Sequence, residues 1–498
     1  MKGIDKLVVI WYAWSDLKGC SFVMDRNILL VEPDFKTKFP PLGLMKISAY
    51  HKRLGDNVTF VKGIRHSVEY EFWDRIYVST LFTYHWPVTV KTIKFYKALV
   101  KNDPGRIIIG GILASLMPDE IWRATGIKPL TGVLSEPKVL DDNDFVVEDM
   151  IPDYELFNSV SHKYSLIDDS FFGYSTRGCP NRCKFCGVHI LEPKFIDYKG
   201  IKPYVQKVKE LYGDKPNLVL LDNNILASKR FENVMDDIID LGFGKGEKFQ
   251  YTKNGRTISK QRSVDFNQGT DSRLMKEWHL KLLSRIALNP LRIAFDHIKD
   301  EKKYCERIYL AAKHEIHNLS NYILYNFDDT PEDLWKRLKI NIELNKELDL
   351  KIYSFPMKYI PLNAKDRSFI DEPRWNWQFI RGVQRILNVL KGTVMTTEDF
   401  FYRAFGQDEN EFLEILHMPE QILLYRGHEP KSIELEWKKK FRELTNGERE
   451  ELLKLLCDNR AKSSLISAAA MLKNGKVKKI LEYYLPENKQ GELFPDFQ

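Results

Sequence analysis

Six short runs rich in apolar and β-branched residues recur at 171–176, 217–221, 264–267, 291–295, 321–324 and 351–355. Between them lie stretches of amphipathic period, at 201–211, 229–241, 272–286, 301–314 and 331–348. This alternation constrains the fold more than any other feature of the chain. A strand, a crossover helix and a second strand bring the two strands parallel, with the helix over one face. Six such units in succession predict a partial (β/α)6 barrel, with its chemistry on loops at the carboxyl ends of the strands. Thr330 ahead of Pro331, with Asp333 three residues on, marks the start of the last helix.

The first 140 residues repeat the pattern more loosely. Strands are expected over 7–11, 28–32, 58–61, 76–80, 106–109 and 130–134, with helices over 43–53, 87–100 and 118–125. This is the signature of a Rossmann-like parallel sheet covered on both faces. Gly110-Gly111 follows the fifth of these strands, where it serves either a ligand approaching the backbone or a tight strand-to-helix turn. The α/β chain thus divides into a sheet domain (1–140), an acidic linker packed over a junction (141–168), the barrel (169–360) and a mostly helical C-terminal domain (361–498). Helices are expected there over 375–390, 433–444, 448–456 and 463–472. The aromatics Trp375, Trp377, Phe379, Phe400, Phe401, Tyr402 and Phe405 read either as core or as a stacking surface for a planar substrate. Residues 245–260 interrupt the barrel pattern, and Asn254-Gly255 makes them a surface hairpin with a packing or partner role, away from the chemistry.

No apolar run nears the roughly 18–20 residues needed to span a bilayer, and residues 7–13 lack a cleavage site, so a cytoplasmic protein without membrane association is expected. A net charge of +7 permits an anionic partner without requiring one. Six cysteines are ordinary for 498 residues, but three of them fall between positions 179 and 186. In a cytosolic chain such clustering points to metal rather than disulfides. Cys20, Cys305 and Cys457 read as small core residues.

The cluster reads Gly178-Cys179-Pro180-Asn181-Arg182-Cys183-Lys184-Phe185-Cys186 and follows the first barrel strand. Thiolates suit iron–sulfur clusters or zinc. Three thiolates on a four-iron cluster leave one iron open to a small molecule, by the logic of an open catalytic zinc site. In the zinc alternative, His189 completes a Cys3His set.

Cys-x3-Cys-x2-Cys, with an aromatic before the last cysteine and after the first strand of a β/α barrel, resembles the radical S-adenosylmethionine (radical SAM) superfamily. The resemblance implies a [4Fe-4S] cluster on Cys179, Cys183 and Cys186. Its open iron would be chelated by S-adenosylmethionine, whose reductive cleavage releases a 5′-deoxyadenosyl radical. It further implies that polar groups of Asp222-Asn223-Asn224, after the second strand, hold the SAM amino group, Asp222 and Asn223 foremost. Gln268 and Arg273 would contact its ribose and carboxylate, and Asp296 the cofactor or substrate. Asn326 begins a turn similar to one that carries glycines in the superfamily, and both glycines are absent here. Pro40-Pro41-Leu42-Gly43-Leu44, Gly110-Gly111 and Ile151-Pro152-Asp153-Tyr154 resemble the branch with an N-terminal cobalamin-binding domain, although no Asp-x-His-x-x-Gly segment is present. The implied reaction is cobalamin-dependent methyl transfer if that domain is filled, and oxidation, rearrangement or coupling if it is not. The electron donor would be a flavodoxin or ferredoxin. The contrasting expectation is a non-enzymatic iron–sulfur or zinc protein that binds a partner through its helical C-terminus.

Overall fold

The computed structural model describes residues 25–101, 103–161, 164–426 and 432–485. The first sheet holds four parallel strands, β1 (Asn27–Glu32), β2 (Asn57–Lys62), β3 (Arg75–Thr80) and β4 (Ile107–Gly111), in the order β2-β1-β3-β4. Ile28, Leu29, Leu30 and Val31 of β1 are all fully buried, as an unbroken apolar run requires when both faces of a sheet are covered. The helices Leu42–Arg53 and Trp86–Leu99 lie close to the expected bounds, and Pro118–Thr125 falls on them. The strand expected at 7–11 lies outside the described residues. The one expected at 130–134 does not form. Leu130 makes a single backbone bond to Ile109 (2.8 Å), flanked by Pro129, which has no N–H, and by Gly132 at φ +77°.

The six barrel strands follow in chain order, all parallel. They are β5 (Ser170–Gly173), β6 (Asn217–Leu220), β9 (Ser263–Phe266), β10 (Leu291–Ala294), β11 (Asn318–Tyr325) and β12 (Lys351–Lys358). Parallel bridges Val264–Leu288 and Thr270–Ile293 join the two three-stranded halves. The helix Pro331–Leu348 opens on a reciprocal cap in which the Thr330 hydroxyl accepts from Asp333 N–H and the Asp333 carboxylate accepts from Thr330 N–H. The helix expected over 272–286 is shorter, Glu277–Leu283. Asp271 accepts the N–H of Arg273 and diverts that backbone from the helix. The inserted hairpin forms as expected, β7 (Lys248–Lys253) against β8 (Arg256–Gln261), with Asn254 and Gly255 both at positive φ.

One apolar core joins the first sheet to the barrel. It contains Leu30 of β1, Phe171 and Phe172 of β5, and Val147, Tyr154, Phe157 and Tyr164 from the acidic segment. That segment is anchored by charge as well. Asp141 accepts from Arg26 (2.8 Å) and Arg75 (3.1 Å), and Asp153 from Ser48 (2.6 Å). A second core packs the helix Pro331–Leu348 against Trp377–Val389, Glu398–Phe405, Glu409–His417, Ser432–Arg442, Asn446–Asp458 and Lys462–Met471. Of the seven expected aromatics Trp375, Phe379, Phe401 and Phe405 are buried in it and pack, while Trp377, Phe400 and Tyr402 are half-buried. Cys305 and Cys457 are half-buried.

Candidate functional site

The cysteine loop leaves the carboxyl end of β5, and its root is fixed from three sides. Asp222, at the exit of β6, is 1% exposed. Its carboxylate accepts the Ser175 N–H (3.0 Å) and hydroxyl (2.7 Å), the Thr176 hydroxyl (2.7 Å) and the Thr176 N–H. Burial pushes its pKa up, against the pull of those four donors. Oδ1 thus takes all four donors of the loop root, while Oδ2 has only a second contact with the Ser175 N–H at 3.2 Å. Arg177 and Ile196 exchange backbone hydrogen bonds at 3.1 and 2.9 Å and close the loop at its base. Gly178 sits at φ +73°, and a Cβ there would be driven into the Lys194 carbonyl and to 3.0 Å from that of Glu192. The Gly178 N–H donates to the Glu192 carboxylate (2.6 Å), which also pairs with Arg177 (2.9 Å) and accepts from the Asn223 amide (3.2 Å). Asn223 therefore acts on the loop through Glu192.

The three thiols on this loop are all half-buried. Cys179 Sγ receives the Asn181 N–H and the Asn224 side-chain amide, both at 3.4 Å. Arg273 Nη2 lies 3.8 Å from Cys183 Sγ. The Cys186 N–H donates to the Cys183 carbonyl (3.0 Å) and folds the loop back on itself. Burial raises the Cys186 pKa, and the neighbouring Cys183, Cys179 and Asp296 add to it. The Cys186 thiolate is therefore disfavoured by burial and by its neighbours, a penalty that a bound cation relieves. Among the described residues no three Cys, His, Asp or Glu side chains, those of Cys179, Cys183, Cys186 and His189 included, converge on a single-ion site. Nδ1 of His189 is buried without a partner, as is Oδ1 of Asn224.

The remaining expected residues divide by what they touch. Arg273 is clamped by Asp271 at 2.8 Å on two nitrogens, and Asp271 also accepts from Asn181 (2.9 Å). Gln268 stands exposed just beyond β9. Asp296, beyond β10, makes no side-chain hydrogen bond among the described residues, and burial raises its pKa to about 6. Asn326 is fully buried. Its amide donates to the carbonyls of Tyr359 (3.3 Å) and Phe369 (3.2 Å), and its oxygen accepts from Asp371 N–H (2.9 Å), so it fastens the 359–371 segment instead of facing the mouth. Asn326 and Asp328 take φ +67° and +54°. Asn and Asp tolerate this left-handed region best after glycine, which explains how the turn forms without the two glycines.

Two contributors, Asp271 and Arg337, were not singled out from the sequence. Asp271 touches the cysteine loop directly, as does Asn224 of the expected trio after β6. Arg337, fully buried, donates to the carbonyls of Phe295, Asp296 and Leu324 and pairs with Asp329 (2.5 Å), so it holds the exits of β10 and β11. Three polar residues in a row after β6 were visible, but not which of them turns toward sulfur.

The carboxyl edge of the first sheet faces the same loop. A side chain at Gly187 would run into Leu116, 3.0 Å away, at the end of the helix that follows β4. Rings cluster at this edge, with Phe35 stacked on His85 (4.7 Å) and Phe82 on Tyr84 (5.2 Å). Lys365 and Arg367 lie over Trp86 and Tyr84 at 4.3 and 4.2 Å, so the segment held by Asn326 bridges the two edges. Gly111, at φ +101°, is pressed against the Thr80 backbone, which makes it a tight-turn glycine.

No family model matches this chain, and no curated protein matches it. Among solved structures it is similar to the radical S-adenosylmethionine methyltransferase TsrM from Kitasatospora setae, with cobalamin and a [4Fe-4S] cluster bound. Identity there is 12%, over 68% of this chain and 74% of that one, with a TM-score of 0.47. It is also similar to Streptococcus suis SuiB bound to precursor peptide SuiA, at 11% identity over 68% and 72%, with a TM-score of 0.30. Likenesses this loose carry no function, which rests on the loop itself. Among the described residues no helix is long and apolar enough to cross a membrane.

Proposed function

We propose that this chain is a radical SAM enzyme in which Cys179, Cys183 and Cys186 hold a [4Fe-4S] cluster. One observation carries the reading. Three half-buried thiols share one pinned loop at the carboxyl mouth of a six-stranded parallel barrel. The donor set fits, since thiolates are the ligands of such clusters and three of them leave one iron for S-adenosylmethionine. When bound, the cluster supplies the electron that cleaves the cofactor's sulfonium bond.

The chain's own residues have defined tasks in this reading. Asn181, Asn224 and Arg273 donate to the sulfurs and stabilise thiolate charge. Asp222, Gly178 and Glu192 fix the loop root. Asp296 and Gln268 are the polar groups at the mouth left for the cofactor or substrate. Cobalamin, and with it methyl transfer, is proposed on the first sheet alone. The unpartnered Nδ1 of His85 at its edge favours a ligand there. A flavodoxin or ferredoxin is proposed as electron donor, and the cytoplasm as compartment.

The test is anaerobic incubation of cluster-reconstituted protein with S-adenosylmethionine and dithionite, with and without cobalamin. Formation of 5′-deoxyadenosine that is lost in Cys183→Ala supports the reading, and cobalamin retained through gel filtration supports methyl transfer. Persistent cleavage in Cys183→Ala would overturn the assignment. Bound zinc and no product would favour the partner-binding protein.

A further inference from the structure

The hairpin β7–β8 belongs to neither the barrel nor the chemistry of the mouth. None of its side chains enters an apolar core. Within it only Phe249 and Ile258 are half-buried, and every other strand residue is exposed. The register separates two unlike faces. Phe249 opposite Lys260, Tyr251 opposite Ile258 and Lys253 opposite Arg256 share one face. The other carries Lys248, Gln250, Thr252, Thr257, Ser259 and Gln261. On the first face the Phe249 and Tyr251 rings lie nearly parallel, 5.8 Å apart, with Tyr251 38% exposed.

The charge is concentrated in the same place. Between Lys245 and Arg262 lie six basic residues and one acidic residue, a net +5 out of +7 for the whole chain. Lys245, Lys260 and Arg262 are paired with Glu315, Asp169 and Asp214 at the hairpin's base. Lys248, Lys253 and Arg256 have no ion-pair partner among the described residues. A two-stranded ribbon is at best marginally stable in water, so an exposed one bearing parallel rings and unpaired cations is unaccounted for by folding alone.

We propose that this ribbon is a docking strip for single-stranded nucleic acid, with bases stacking on Tyr251 and phosphates meeting Lys253 and Arg256 on the same face. Stacking rings interleaved with cations are what an unpaired strand offers partners for at once. A donor of electrons fits the position poorly. The ribbon enters at the amino end of β9, whereas the cysteine loop leaves the carboxyl end of β5. The four-residue strand and six-residue ribbon together allow the ribbon's tip to lie up to roughly 30 Å from the mouth at 3.3 Å per residue. An acidic protein surface would use the cations but leave the ring face idle.

The test is fluorescence anisotropy on the full chain with fluorescein-labelled oligo-U and oligo-dT of about twelve nucleotides, from about 50 to 200 mM salt. Binding to either supports the proposal, and a preference for oligo-U assigns RNA through its 2′-hydroxyls. Tyr251→Ala should weaken binding on the order of tenfold. The double variant Lys253→Ala/Arg256→Ala should lower the salt slope by about 1.4, at 0.7 per phosphate. Both should keep the thermal midpoint of the parent, since the ribbon lies outside the cores. No binding to either oligonucleotide at low salt, or variants that bind like the parent, would overturn the proposal. So would a polyglutamate peptide that binds more tightly than both and is indifferent to Tyr251→Ala. None of these readouts needs the cluster, so the proposal stands or falls apart from the enzymatic reading.

Discussion

Asp222→Ala separates two roles for the same carboxylate. A residue that holds the cofactor's amino group would, when truncated, weaken S-adenosylmethionine binding and leave the fold and iron content alone. The structure instead has it accept two backbone N–H groups and two hydroxyls at the loop root. Orphaning the two buried N–H groups costs about 1–3 kcal/mol each, while the hydroxyls can turn elsewhere. Removing a carboxylate whose burial raises its pKa returns part of that cost. A net loss of about 2–4 kcal/mol follows. In a cooperative unit of barrel size this lowers the thermal midpoint by roughly 4–16 °C. The assay is differential scanning calorimetry of the unloaded chain, with iron content after reconstitution measured in parallel. Both should fall together. An unchanged midpoint and full iron loading, with only cofactor affinity reduced, would refute the loop-root account.

Other expectations follow from individual contacts. Gly178→Ala forces a side chain into a left-handed backbone against the Lys194 carbonyl, so about 1–2 kcal/mol of strain plus the clash should reduce iron loading more than it reduces helix content; loading equal to the parent would contradict it. Asn224→Ala removes an N–H donor from Cys179 Sγ and should move the cluster's midpoint potential to more negative values in an EPR-monitored redox titration; an unmoved potential would deny the contact. Burial in the helical core holds His417 down to about 4, below its ordinary 6.5, against the pull of the Leu413 carbonyl. The unfolded chain then binds the extra proton, so this stability is present above pH 6.5 and is lost as pH falls toward 4. His417→Phe should therefore be costly at pH 7.5 and close on the parent as pH approaches 4 in urea titrations, and a gap independent of pH would refute it.

How much was legible in the sequence depends on how local the signal was. The strand and helix runs of the barrel could be read because each apolar period is completed within one element, as in the capped helix Pro331–Leu348. The cysteine loop was legible because its three cysteines lie within eight residues. The supports were not, because they act across long separations. Asp271 reaches Asn181 from 90 residues away, and Arg337 reaches the Phe295 carbonyl from 42. Nothing in the local spacing distinguishes Asp222, bonded to the loop root, from Asn224, turned toward sulfur; only the direction in which the chain leaves β6 decides it. The strand expected at 130–134 failed for a local reason that composition concealed, namely Pro129 and Gly132 on either side of Leu130.

Three thiols are proposed to hold a cluster with one iron open. This is tested most directly by the EPR spectrum of the reconstituted, dithionite-reduced chain, recorded with and without S-adenosylmethionine. About four irons per chain are expected, with a reduced-cluster signal that changes on adding the cofactor and is lost in Cys183→Ala. A signal that the cofactor leaves unaltered, or bound zinc with no iron signal, would contradict the proposal.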